Sequence, residues 1–233
     1  MSAEPFISAH DDPENESPWA LQCVVEDTKA FTGLQLAHAL AVSVASFLDS
    51  IEPGTPRSEA MERWMQGRIR KILRRAKNSS WVSVQTEDGE TYEVDGVNIR
   101  VLTPTAMDAI PKAVAKCQVS HLSTLPDSVA THGPLTPLLK IYTNRSLNMS
   151  APKAAVAAAH VAQLMGMKLT EEDYNLWKSK NFALTVSSLG EVSDFVESVS
   201  SVAVRDAGLT EVVPGSITAI GIWTGGNIGK GKM

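Results

Sequence analysis

Apolar positions along this chain fall into short continuous runs and one-sided helical stripes, and the two kinds alternate. Trp19-Ala-Leu-Gln-Cys-Val-Val25 is an apolar run of strand length, and Gly33 to Asp49 has the length and apolar face of a helix. Glu52-Pro-Gly-Thr-Pro56 interrupts the chain, after which the pattern predicts a second helix from Ser58 to Lys77. Trp81-Val-Ser-Val-Gln85 and Thr91-Tyr-Glu-Val94 flank an Asp88-Gly89 turn signal and read as a hairpin. Val97 to Leu102 then reads as a strand and Ala106 to Lys116 as a helix.

Pro126 to Pro137 has the composition of a linker, and beyond it the same order starts again. Leu138 to Tyr142 reads as a strand, Pro152 to Met165 and Glu171 to Lys180 as helices, Phe182 to Val186 as a strand, Val192 to Val199 as a helix, and Ile217 to Trp223 as a last strand. Each half thus runs strand, helix, helix, strand, helix. Local matches carry the parallel further: Ala37-His38 against Ala159-His160, and Trp64 against Trp177. The expected fold class is α/β, as two similar small domains in tandem, each a mixed sheet of about four strands covered by helices, arranged as a pseudo-dimer. The expected boundaries are an acidic disordered tail over 1–18, domains over 19–125 and 138–224 joined by a linker over 126–137, and a flexible tail over 225–233.

Composition narrows the class of protein. With 233 residues, 43% of them apolar, the chain can build a packed core, and no segment is long and apolar enough for a membrane span. The N-terminus lacks the order of a secretory signal, so a cytoplasmic protein is expected. Cys23 and Cys117 sit in apolar segments without metal-ligand spacing and read as buried free thiols. The net charge is −5, but Glu4, Asp11, Asp12, Glu14 and Glu16 lie in the first 17 residues, and without them acids and bases are equal in number. The acidity belongs to the tail, and it does not exclude an RNA partner.

Two segments carry candidate chemistry. In Met149-Ser-Ala-Pro-Lys-Ala-Ala-Val-Ala-Ala-Ala-His160, Ser150 can cap a helix and Pro152 fits its first turn. Lys153 then falls beside free backbone N–H groups at the positive end of the helix dipole, a poor place for a cation unless an anion visits. A solvated surface lysine satisfies the same spacing. The second segment is Val204-Arg-Asp-Ala-Gly-Leu-Thr210, followed by Pro214-Gly-Ser216 and the last strand. Gly208 permits a tight turn in which Asp206 and Thr210 face one another and position a water, although an ordinary turn feeding a strand has the same pattern.

Together the two segments resemble the class II peptidyl-tRNA hydrolases. Those proteins open a helix with Met, then Lys four positions on, Gln eight on and His eleven on; Met149, Lys153 and His160 hold that spacing. Late in the domain they carry Arg-Asp-Ala-Gly-x-Thr and then Pro-Gly-Ser/Thr, matched here by Arg205 to Thr210 and Pro214 to Ser216. The resemblance implies hydrolysis, without metal or cofactor, of the ester joining a peptide to the 3′-terminal ribose of tRNA. It implies Asp206 as the group that orients or deprotonates water, Thr210 as a holder of water or substrate, and Lys153 as oxyanion or phosphate ligand. His160 and Arg205 are further substrate-binding candidates.

The chain departs from the pattern where the Gln is replaced by Ala157. His160 lies about 10 Å along the helix axis from Lys153, too far to be its direct partner, and reads as a hydrogen-bonding core histidine. In the first half, Gln35 takes the Gln position but Phe31 stands where Lys belongs, so that half is expected to be a structural partner without an active site. The single chain would then be a monomer with an internal pseudo-dimer. From Arg68 to Lys77, six residues in ten are basic, and Arg68, Arg70, Lys71 and Arg74 on the expected helix are candidates for phosphate contacts. The rival expectation is an inactive family member retained to bind RNA or protein.

Overall fold

The computed structural model describes residues 18–192, 198–208 and 211–226. The first half contains β1 (Trp19–Glu26), α1 (Gly33–Asp49), α2 (Pro56–Gln66), β2 (Arg70–Ala76), α3 (Asn78–Val84), β3 (Gly89–Val94), β4 (Val97–Leu102), β5 (Thr105–Ala106) and α4 (Lys112–Ala115). The second contains β6 (Thr131–His132), β7 (Leu139–Asn144), α5 (Ala151–Lys168), α6 (Glu171–Ser179), β8 (Leu184–Leu189), β9 (Ser201–Arg205) and β10 (Ile217–Trp223). The fold is α/β, with two mixed five-stranded sheets.

The sheets share one strand order. In the first it is β2-β1-β4-β3, with β5 also on β1; in the second it is β8-β7-β10-β9, with β6 added outside β8. β2 runs parallel to β1 as β8 does to β7, and β4 and β10 are antiparallel to those same strands. Trp64 Nε1 donates to the Arg70 carbonyl, and Trp177 Nε1 to the Ala183 carbonyl, so each second helix is tied to the start of the next strand by an equivalent bond.

Helices α1 and α5 form the central layer. α1 packs on the first sheet and α5 on the second, and the two lie along each other. Ala155, Ala157, Ala158, Ala159 and Ala162 are buried on α5, and side chains this small let the helices approach closely. One apolar cluster runs from Leu21, Leu40 and Trp64 through to Ile141, Met165 and Trp177, so the halves share a continuous core. On the outer face of the first sheet, Val24 and Ala76 pack against Trp81 and Val84 of α3. No helix among the described residues is long and apolar enough to cross a membrane.

Four local expectations are corrected. The helix expected over 58–77 ends at Gln66, where Gly67 takes an extended conformation, and the basic run is the edge strand β2. Ile69, Ile72, Leu73 and Ala76 have helical spacing, but pairing of Arg70 to Ala76 with β1 decides the outcome. Trp81 to Val84 is helical, and the hairpin is β3–β4, turning through Asp95 and Gly96, both at positive φ. The helix expected over 106–116 shrinks to Lys112–Ala115, because the proline at 111 disfavours helix in the residue before it. The linker contains β6, which pairs with β8. Ser201–Arg205 is a strand without having been expected, and most of the helix expected over 192–199 lies outside the described residues.

Because the core is continuous, unfolding is expected to be a single transition that a lesion in either half shifts as a whole. Trp177→Ala, which empties a fully buried site, should cost about 3–5 kcal/mol in a urea titration followed by both fluorescence and circular dichroism. Two separate transitions, only one of them shifted, would refute the shared core.

Candidate active site

The start of α5 is built as the sequence suggests. Ser150 is the N-cap, its hydroxyl accepting from the Lys153 amide, and Pro152 sits in the first turn. Glu211, which sequence reasoning missed, accepts from both the amide and the hydroxyl of Ser150, at 2.7 and 2.6 Å. A carboxylate there complements the positive end of the helix dipole.

The loop after β9 is equally determined. The Asp206 amide donates to the Ser216 carbonyl at 2.9 Å, and the Gly215 amide donates back to the Asp206 carbonyl at 2.7 Å. Asp206 Oδ1 accepts from the Gly208 amide at 2.7 Å, an Asx-type turn that fixes the side chain. Gly208 has φ +74°, and a Cβ there would collide with the Pro214 ring, which is why the turn takes glycine. With Oδ1 held, Oδ2 faces α5, where it accepts from Lys153 Nζ in an ion pair largely shielded from solvent. The two segments read from the sequence therefore meet. Thr210 lies outside the described residues, so its position opposite Asp206 stays an expectation.

A cleft of about 290 Å³ opens beside this pair. One wall is Arg68 to Ile72 from the first half; the other is Lys153, Val156, Ala157 and His160 of α5 with Val204 to Ala207 and Thr218. Arg68, Arg70, Lys71, Lys153 and Arg205 face a single carboxylate, Asp206, among the described lining residues, so a chain of net charge −5 presents a basic cleft. Arg74 does not join them. It turns to Gln22 Oε1 at 2.9 Å and the Cys117 carbonyl at 3.1 Å, because alternation along a strand sends it away from Lys71.

Lys71 differs most from expectation. Read as an exposed phosphate contact, it is only 7% exposed and crosses from β2 to α5. Its Nζ lies 3.0 Å from His160 Nδ1, donates to Gln163 Oε1, and stands 5.1 Å from the centre of the Trp64 ring. Burial pushes its ammonium down to about 7. His160 is held well below its ordinary value, first by burial and then by the charges of Lys71 and Lys153, so its neutral ring can accept from Lys71. The reading of His160 as a hydrogen-bonding core histidine agrees with this contact, and the residue also lines the cleft. Gln163 was missed, although it continues the helical stripe 153–156–160 by one more step. Cys23, beneath Lys71, is a buried free thiol raised to about 12 by burial, and Cys117 is likewise buried and unbridged.

Fold and cleft define an α/β protein with a lysine–carboxylate pair at a helix N-terminus and a basic wall facing it. No family model matches the chain. Over 91 residues it is 36% identical to a peptidyl-tRNA hydrolase of Methanothermobacter thermautotrophicus (strain Delta H), an alignment covering 35% of this chain and 80% of that protein. The chain belongs to the peptidyl-tRNA hydrolase family.

The position of Lys71 makes stability depend on pH in a determined direction. Between about 7 and 10.5 the unfolded chain keeps the lysine proton that the folded chain releases, so stability rises with pH across that window. Lys71→Met should flatten this rise, which urea titrations of both proteins at pH 7 and pH 9 would measure. An equal slope in the two proteins would place the lysine in solvent.

Proposed function

We propose that the protein is a peptidyl-tRNA hydrolase of the class II type, cleaving the ester between peptide and tRNA by attack of water. The observation that carries this reading is the ion pair of Lys153 and Asp206 lining a basic cleft. Asp206, with one oxygen fixed by the Gly208 amide, uses the other to orient a water and draw off its proton. As water attacks, the carbonyl oxygen gathers negative charge, and collapse of the adduct breaks the ester C–O bond, the ribose oxygen leaving with the proton that Asp206 took. Lys153 supplies the donor for that oxyanion, and the adjacent helix N-terminus favours the same charge. Arg68, Arg70 and Arg205 are suited to hold phosphates of the acceptor end, positioning the ester without reading sequence. Thr210 remains the candidate holder of water or substrate.

Ala157, at the position of the family's Gln, lines the cleft with a methyl group alone. Lys71 of β2 and His160 of α5, within hydrogen-bond distance of each other, supply polar groups to that side of the cleft. The equal strand order of the two sheets and the matching tryptophan bonds support descent of both halves from one ancestral domain. On this reading the domains over 19–125 and 138–224 form a pseudo-dimer within one cytoplasmic chain. The second half holds the reacting groups, and the first supplies a wall.

The test is release of free tRNA from a purified peptidyl-tRNA. Lys153→Ala and Asp206→Ala should each lower kcat/KM by roughly 10²–10⁴. Arg68→Ala with Arg70→Ala should instead raise KM and make it less sensitive to salt, since counterion release scales with phosphate contacts. Tight tRNA binding without release by the wild type would overturn the hydrolase reading in favour of an RNA-binding protein, and release that survives both Lys153→Ala and Asp206→Ala would overturn the site.

A further inference from the structure

Away from the cleft, three chemistry-bearing side chains from separate parts of the fold converge. His38 lies on α1, Asp95 in the β3–β4 turn, and His132 on β6, which belongs to the second sheet. Asp95 Oδ2 is 2.9 Å from His38 Nδ1 and 2.9 Å from His132 Nε2. The two rings meet edge to face, 5.2 Å between centroids, and one ligand atom from each residue lies within 4.8 Å of the other two. None of the three lines the cleft.

His38 makes this cluster more than a surface hydrogen-bond group. It is 6% exposed, and neither of its ring nitrogens reaches a hydrogen bond of good geometry, although Asp95 lies on one side and the Leu184 backbone is its other polar neighbour. A neutral imidazole has one N–H. If that hydrogen is on the nitrogen facing Leu184, the lone pair of Nδ1 confronts a carboxylate lone pair at 2.9 Å; if it is on Nδ1, the other nitrogen is left without a donor. A doubly protonated ring would satisfy both sides only by placing a full charge at a position that is 6% exposed. A cation between the nitrogen and the carboxylate removes the conflict: Nδ1 becomes a ligand and the remaining N–H is directed to a backbone acceptor, the usual support for a metal-bound histidine.

We propose that His38, Asp95 and His132 bind one divalent first-row transition ion, Zn²⁺ foremost, which clamps the first sheet and α1 to the second sheet. Two imidazoles and one carboxylate suit zinc and exclude a calcium-type site, which takes oxygen ligands. Asp95 is 45% exposed at its side chain and His132 21%, so water can complete four-coordination from the open side. The ion is separate from the lysine–carboxylate pair, and the proposal stands whether or not the chain hydrolyses peptidyl-tRNA.

The test uses the full chain, stripped with chelator and titrated with Zn²⁺ by calorimetry and with Co²⁺ by visible absorption. One equivalent should bind, with the intense ligand-field bands of four-coordinate cobalt, and Zn²⁺ should raise the thermal midpoint. Asp95→Asn and His132→Ala, both at solvent-reached positions, should keep the circular dichroism of the wild type while weakening binding at least about a hundredfold. No saturable binding by the wild type overturns the proposal, as does undiminished binding by both variants, which would assign the ion to other ligands.

Discussion

The close packing of α5 against α1 is the constraint on which the cleft depends. α5 carries a nearly continuous run of alanines toward its neighbours, so the helix axes can draw together and bring β2 of the first sheet across the outer edge of α5. A larger side chain at Ala158 or Ala159, both fully buried, would push the helices apart and carry Lys71 away from His160. Fold stability and site geometry are thus set by the same contact. Gly221 extends the constraint to the second sheet, since a Cβ there would lie 2.3 Å from Val161 Cγ1 on the inner side of α5.

That contact also explains why a buried lysine is tolerated. Lys71 loses hydration on entering the interface, a penalty large enough to move its titration to about 7. The indole of Trp64, the ring of His160 and the amide of Gln163 offset part of this cost without supplying a countercharge. A methionine of similar length would pack there without any such penalty, so retention of an amine at this place is better explained by the polarity of the cleft than by the stability of the core. Burial favours the neutral amine, and such a group can exchange protons with its surroundings.

The α/β class and the two segments that meet at Lys153 and Asp206 were legible because each rests on local chemistry. A capping serine with a proline behind it fixes where α5 starts, and an Asx turn with one obligatory glycine fixes where Asp206 points. The basic run was misread because its apolar residues fit helical spacing, while the alternation belonging to its true strand is masked by Lys71, a buried position occupied by a charged residue. The role of Arg74 followed the same error, since helix and strand send it to different sides. Glu211 and the cluster of His38, Asp95 and His132 had no local signal: each depends on segments distant in the chain, and only tertiary packing joins them.

The two halves share a strand order yet differ where it matters for chemistry. At the start of α1, Gln35 forms a capping box with Thr32 and the Leu34 amide donates to Asp127, much as Ser150 and Glu211 accept from the amides at the start of α5. Phe31, buried just before the Thr32 cap, closes that helix end with apolar contacts, and Gln35 holds in α1 the third helical place that Lys153 holds in α5. At α5 the corresponding end is open to a cleft and holds an ammonium and a carboxylate together. A symmetric pair of sites would need two such ends, each facing a basic strand from the other half. Here only β2 is basic, and the strand in the same place in the second sheet, β8, reads Leu-Thr-Val-Ser-Ser-Leu with no charge to offer. The asymmetry is reciprocal: the half without a lysine at its helix start carries the cationic strand, and the cleft is lined from both halves.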